Sequence, residues 1–389
     1  MSGEEPNQTE NAVIDRDGLD VLIGLVVGDG YRVIGPKVAD GAIILGEIDS
    51  VRALPAGWTD EQSGGRYRLV PGPNQALFGH TVGPYSWKRY LNPPEQTVWR
   101  GRRTDDGGFT IESGKAPATP YAFLGVRACD LHAIARQDKV FGLDPADHDR
   151  PEIHTDTGYA ARRAAALIIA LNCGRAGGTC FCASMNTGPR VEPTLSYDLA
   201  LTELIGDGRH DFLVEANGPR GHALLARLPS RPVEVADAKA AEAAIARAAA
   251  GMGREMIPDV AALLRRNLDS RHWDEVGQRC LTCTNCTMVC PTCFCSTVED
   301  TTSLDGGEAE RTRKWDSCFS LDFTYIHGGS QRREARSRYR QWMTHKLSSW
   351  HDQFGASGCT GCGRCITWCP VGIDLTAEAR AIRDKETQR

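Results

Sequence analysis

Over residues 20–235 short apolar runs alternate with turns rich in glycine and proline, and the runs at 31–34, 42–48, 67–70, 121–126, 165–171 and 212–214 have strand length and composition. Helical segments are expected between them, near 129–139 and 199–204. This pattern predicts an α/β or α+β unit whose topology stays open. Residues 1–19 are expected to be disordered or loosely attached. An alanine-rich helical stretch at 237–250 breaks at Gly251-Met252-Gly253 and resumes over 257–267, where Pro258 suits a helix start. A domain boundary is expected there, with an α/β or α+β domain over 20–236 and a mainly α-helical domain over 237–389. Residues 332–347 of the second domain again have helical composition.

The cysteines change the picture. The run Cys280-x2-Cys283-x2-Cys286-x3-Cys290-Pro291 recurs as Cys359-x2-Cys362-x2-Cys365-x3-Cys369-Pro370. Such spacing lets a short loop wrap one corner of a [4Fe–4S] cubane with three sulfurs, while the last cysteine of each run reaches the other cubane, as in bacterial two-cluster ferredoxins. One cluster is therefore expected on Cys280, Cys283, Cys286 and Cys369, and a second on Cys290, Cys359, Cys362 and Cys365. The two runs must then meet in space. The insert between them, 291–358, is far longer than in a compact ferredoxin and is expected to cover one side of the clusters. Two zinc sites, giving a zinc-stabilised interaction module without redox work, are the alternative, but zinc usually takes Cys-x2-Cys pairs from separate knuckles. Disulfides fit poorly, because residues 1–10 lack the basic region and apolar core of a secretory signal and a cytoplasmic location is expected.

A second set of cysteines lies upstream. Cys129 and Cys173 each follow a predicted strand, at the carboxyl ends where open α/β sheets build sites. Cys180 and Cys182 follow Gly174-Arg175-Ala176-Gly177-Gly178, a loop flexible enough to fold back on a bulky cofactor and aim backbone N–H groups at sulfide. These four thiols suffice for a third [4Fe–4S] cluster; ordinary buried cysteines or a zinc site are the other readings. Cys293, Cys295 and Cys318 are read as packing residues around the ferredoxin sulfurs, with a redox or sulfur-handling role as the alternative. The tetrapeptide Thr-Cys-Phe-Cys occurs twice, at 179–182 and 292–295.

Other features narrow the function further. A net charge of −5 over 389 residues gives no reason to expect nucleic acid as the main ligand. The longest apolar stretches, 21–27 and 164–171, fall short of the roughly 20 residues of a spanning helix, so any membrane link would run through a partner. Basic residues gather between the cysteine runs, among them Arg311, Arg313, Lys314, Arg338, Arg340 and Lys346, as a solvated face, a docking surface or cationic surroundings that offset the negative charge of cubane and thiolates. No glycine fingerprint for a dinucleotide follows a strand, residues 108–115 fail the phosphate-loop spacing, and no flavin or [NiFe] motif is present. His272, His345 and His351 lie near the runs but are read as structural. With no catalytic residue in evidence, the chain is expected to conduct electrons for chemistry on other subunits.

These residues resemble a known family. The run Gly125 to Ile134 around Cys129, the Cys180-Phe181-Cys182 segment, Arg279-Cys280-Leu281-Thr282-Cys283, Cys290 to Cys295, Trp315 to Phe319, Arg338 to Trp342 and Cys369 to Asp374 are similar to the beta, electron-transfer subunit of cytosolic NAD(P)-linked [NiFe] hydrogenases, or sulfhydrogenases. Anaerobic sulfite reductases draw their iron–sulfur subunit from the same family. The resemblance implies a heterotetramer with hydrogenase large and small subunits and a flavin subunit that handles NAD(P)H, with no flavin or nucleotide on this chain. It also implies electron transfer and, in some complexes, support of sulfur or polysulfide reduction. An iron–sulfur subunit of an anaerobic sulfite reductase is the rival reading.

Overall fold

The computed structural model describes residues 11–114, 119–143, 155–206 and 208–388. The polar residues 1–10 and Lys115 lie outside that range. Strand β1 (Asn11–Asp15) opens the described chain and feeds the helix Arg16–Gly28, whose N-cap Asp15 accepts the Gly18 N–H at 2.8 Å. Residues 11–19, expected to be loose, are thus sheet and helix. Three buried side chains, Val13, Ile14 and Leu19, supply the apolar anchor that the short segment conceals in sequence.

Strands β2 (Arg32–Ala39) and β3 (Ala42–Glu47) form a hairpin, as do β4 (Trp58–Ser63) with β5 (Arg66–Pro71) and β6 (Glu95–Arg103) with β7 (Phe109–Ser113). Then come β8 (Tyr121–Arg127), β9 (Leu167–Leu171), β10 (Leu199–Gly206), β11 (Arg209–Ala216) and the short β12 (Arg231–Pro232). The main sheet has the order β12-β1-β11-β10-β9-β8-β2-β3. Its centre, β2, β8, β9 and β10, is parallel, and both margins are antiparallel. Helix Arg16–Gly28 covers one face through Leu19, Leu22, Ile23 and Val26; helices Ala128–Val140 and Thr157–Ala165 cover the other through Leu131, Ile134 and Tyr159. Burial on both faces explains the unbroken apolar sequence of β9.

The same two-sided burial accounts for a correction. Residues 199–204, expected to be helical, are the strand β10. Leu199 and Leu201 enter one core and Ala200 the other, so the segment lacks the polar alternation that marks a half-buried strand.

Helix Val235–Ala250 packs on the main sheet, with Ala241 against Val13, Leu204 and Leu213. The insert contributes a hairpin, β13 (Ser296–Thr302) with β14 (Glu308–Trp315), and β14 pairs antiparallel with β6. Both contacts cross the boundary expected at residue 237. Apart from that hairpin and the paired two-residue strands Tyr325–Ile326 and Gly329–Ser330, the carboxyl-terminal region is mainly helical. Helices Val260–Arg266, His272–Arg279, Ala335–Thr344 and Leu375–Thr387 enclose a second core with Leu263, Trp273, Trp342, Met343 and Ile382. No helix among the described residues is long and apolar enough to cross a membrane.

A buried ion pair joins the two regions. Arg364 donates from Nη1 and Nη2 to the Asp130 carboxylate at 2.7 and 3.0 Å, and from Nε to the Gly83 carbonyl at 3.1 Å. The side chains are 2% and 3% exposed, so removing one charge strands the other without water. The expected outcome of Asp130→Asn is a loss of about 3–5 kcal/mol, the usual cost of breaking such a pair from one side. An anaerobic urea titration followed by circular dichroism measures it as a lower midpoint than wild type.

Candidate functional site

The two cysteine runs repeat in backbone as well as in sequence. Thr282 and Thr284 have φ of 51° and 67°, and the matching residues of the second run, Gly361 and Gly363, have 65° and 75°. In each run the N–H two residues after the first cysteine donates to its sulfur, Thr282 to Cys280 and Gly361 to Cys359, both at 3.4 Å. Short helices, Asn285–Met288 and Arg364–Thr367, then carry Cys286 and Cys365 and pack on each other. The left-handed turns bend each loop so that its cysteines face a common centre. Threonine, a β-branched residue, adopts that conformation only at some cost in the first run. Glycine is required in the second, because a Cβ at Gly361 would lie 2.6 Å from the Cys182 backbone and one at Gly363 2.3 Å from the Thr179 carbonyl oxygen.

Cys280, Cys283, Cys286 and Cys369 line one cavity with about 460 Å³ of atom-free space, walled by Phe319, Tyr339 and Trp342. The Ile373 N–H donates to Cys369 sulfur at 3.3 Å. Cys290, from the end of the first run, lies instead beside Cys359, Cys362 and Cys365 of the second. Burial first, and neighbouring sulfurs after it, push the Cys286 and Cys365 thiols well up, and burial takes Cys359 to about 12. Thiols so placed ionise only beside a compensating cation, which iron provides.

Cys290 behaves in the opposite way and is held well below the ordinary thiol range. A hydrogen bond from Cys293 is the main cause; burial opposes it, and Lys346 and Thr292 assist. Lys346 stands on a π-helical turn, His345–Ser349, and its Nζ donates to Cys290 sulfur at 3.3 Å, to Thr292 Oγ1 at 2.8 Å and to the Gly358 carbonyl at 3.3 Å. Burial alone would discharge this ammonium, yet the sulfurs of Cys290, Cys293 and Cys359 keep it protonated.

The upstream cysteines also come together. Cys129 stands in the first turn of the helix after β8 and Cys173 just past β9, both at the carboxyl edge of the parallel strands. Cys129 and Cys182 share an apolar cluster with Val82 and, from the second run, Cys362; Met252 packs against it. The loop at 174–178 turns back on its own cysteine: Gly177 N–H donates to Cys180 sulfur at 3.3 Å, and Arg175 holds the Asp60 carbonyl at 2.7 Å. Burial raises the Cys129 and Cys182 thiols strongly and takes Cys180 to about 12; Cys173 and Cys362 add to the rise in all three. Phe181 N–H donates to the Gly361 carbonyl at 2.9 Å, which ties this group to the second run.

Other expectations resolve differently. The basic residues of the insert form no uniform face: Arg311 pairs with Asp300, Lys314 with Glu299, Arg313 with Asp156, and Lys346 turns inward to Cys290. His272 bonds Glu378 at 2.6 Å, His345 bonds Gln353 at 3.1 Å, and His351 is exposed. Sequence reasoning placed Lys346 only within a basic group and missed its contact with Cys290, the Asp130–Arg364 pair and the proximity of Cys362 to Cys129, because none of these carries a local motif.

Among the described residues no three His, Cys, Asp or Glu side chains converge on a single-ion position. The fit to [4Fe–4S] groups rests on the all-sulfur donor sets and the N–H···S bonds aimed at them. Residues 279–373 match the family described as a 4Fe-4S dicluster domain, which supports two [4Fe–4S] clusters. Over 309 residues the chain is 30% identical to the sulfhydrogenase 2 subunit beta of Pyrococcus furiosus (strain ATCC 43587 / DSM 3638 / JCM 8422 / Vc1), an alignment covering 77% of this chain and 85% of that protein. No solved structure matches the chain.

Gly361→Ala should loosen the contact between the second run and Cys182, since both its φ and its missing Cβ are needed there. A loss of about 1–3 kcal/mol is expected from strain at such a position, with iron released faster to a chelator. Gly306→Ala is the control, because φ is 68° there but the space is open. Loss of the visible absorbance under anaerobic chelation reports the difference.

Proposed function

Since this chain belongs to the family of sulfhydrogenase beta subunits, we propose that it is the electron-transfer subunit of a soluble NAD(P)-linked [NiFe] hydrogenase complex. Cys280, Cys283, Cys286 and Cys369 would hold one [4Fe–4S] cluster, and Cys290, Cys359, Cys362 and Cys365 the second. Cys129, Cys173, Cys180 and Cys182 would hold a third. Bound there, the clusters supply one-electron redox chemistry. The chain itself orients the sulfurs with backbone N–H groups, excludes water with Phe319, Tyr339 and Trp342, and sets Lys346 against Cys290.

A single observation carries the relay reading: Cys362 packs with Cys129 and Cys182 while its own run neighbours Cys290 and, through Cys365, Cys286. Three sulfur groups therefore form one continuous series, with the upstream group at one end and the Cys280 group at the other. Partners at the two ends would be the hydrogenase subunits and a flavin subunit that handles NAD(P)H. The exposed Cys283 and Leu281 mark the outer end of the Cys280 group as a place for one of them.

Iron content tests the count. About twelve irons per chain are expected after anaerobic purification, and Cys180→Ala should leave about four fewer; a wild type with about eight removes the third cluster, and a colourless protein without iron removes the relay. Anaerobic co-purification tests the complex. A [NiFe] large subunit is expected among the bound partners, and a sirohaem protein in its place would assign the chain to a sulfite reductase.

A further inference from the structure

Cys293, Cys295 and Cys318 lie outside the ligand sets proposed above, yet the fold gathers them at one edge of the dicluster region. Ser296 pairs with Trp315 at the open end of the β13–β14 hairpin, and the Asp316 N–H donates to the Cys295 carbonyl at 2.9 Å. Cys295 thus enters one strand where residues 316–318 leave the other. Cys318 lies against Cys295 there, close enough for the two thiols to interact. Ser317, between them in register, is fully buried, and its hydroxyl meets Thr287 at 2.7 Å on the short helix that carries Cys286. On the far side the buried Lys88 donates to the Cys293 carbonyl at 3.0 Å and stands 3.8 Å from the Trp315 ring centre. These contacts fix the chain on either side of the pair, while Cys295 and Cys318 themselves stay half-buried.

The repeated tetrapeptide gives an independent pointer. Phe181 of the first Thr-Cys-Phe-Cys copy bonds the Gly361 carbonyl, and Thr292 of the second bonds the Gly358 carbonyl at 2.6 Å. The two copies grip one loop, and each delivers two cysteines outside the ferredoxin runs. In the first copy they join Cys129 and Cys173. In the second, Cys293 meets Cys290 and Cys295 meets Cys318.

We propose that Cys295 and Cys318 are a redox-active pair that cycles between two thiols and a disulfide. On oxidation both S–H bonds break, one S–S bond forms, and two protons and two electrons leave; reduction reverses each change. The electrons are exchanged with the [4Fe–4S] groups of the dicluster region, so that the pair collects one-electron transfers into a two-electron step. That exchange rests on the ligand assignment proposed above, which sets Cys286 beside Cys318 and Cys290 one sulfur away, through Cys293.

Anaerobic holoprotein poised at a series of potentials, quenched in acid, alkylated and mapped by mass spectrometry tests the pair directly. A Cys295–Cys318 disulfide is expected at the oxidising end and two alkylated thiols at the reducing end. Coulometric uptake should exceed the clusters' share by about two electrons per chain, an excess lost in Cys295→Ser and in Cys318→Ser and kept in Cys293→Ser. Two thiols at every potential, or a disulfide that never opens, would overturn the proposal. Iron content and cluster EPR signals from the same samples reveal separately whether the ligand assignment fails, and if the serine variants lose iron the wild-type map alone decides.

Discussion

The grip on the loop from Gly358 to Gly363 governs how the sulfur groups are placed. Backbone meets backbone there without room for a side chain: Gly361 lies on Cys182 and Gly363 on Thr179, while Thr292 holds Gly358 from the other side. Contacts of this kind cannot stretch as a side chain can, so the spacing between the upstream cysteines and the second run is set by van der Waals radii. The Asp130–Arg364 pair clamps the same junction from beneath. Its partners flank sulfur directly, since Asp130 follows Cys129 in sequence and Arg364 lies between Cys362 and Cys365.

Charge follows from that packing. Most of the thiols are buried and pushed up, which opposes ionisation, but Cys290 is pulled down by hydrogen bonds and by Lys346. A lone buried ammonium would be costly enough to lose its proton, and a lone buried thiolate likewise. Each offsets the other at 3.3 Å, with Thr292 and the Gly358 carbonyl satisfying the remaining hydrogens of the lysine. The cavity of the first group is walled by aromatic rings.

Much of this was visible in the chain, and the failures share a cause. The doubled cysteine run and the strand-end placement of Cys129 and Cys173 could be read because each is a local pattern with a local reason. Residues 199–204 misled because two-sided burial erases the alternation that distinguishes a strand. Residues 11–19 misled because their anchor is a partner strand some 200 residues away, β11, which no local window contains. Lys346 could be read as one of several cations near the thiolates, but not as the one in contact. Among several basic neighbours it is the one that turns inward to a cysteine, and only the π-helical turn that carries it shows why.

The insert illustrates how tertiary pairing redirects a segment. Its length suggested a cover for the clusters, and its helical part, Ala335–Thr344, walls the cavity of the Cys280 group through Tyr339 and Trp342. Its hairpin leaves that role and extends the sheet of β6 and β7, with exposed ion pairs such as Arg100–Glu310 that contribute little on their own. What the hairpin fixes is position. By tying residues 295 and 316 to opposite strands and Trp315 to Lys88, it holds the edge of the dicluster region against the first domain. An electron-transfer site gains from such rigidity, because donors that are already aimed at the sulfurs need not reorganise when charge arrives. The N–H···S bonds of Thr282, Gly361, Ile373 and Gly177 are held in this way by turns and packing rather than by mobile side chains.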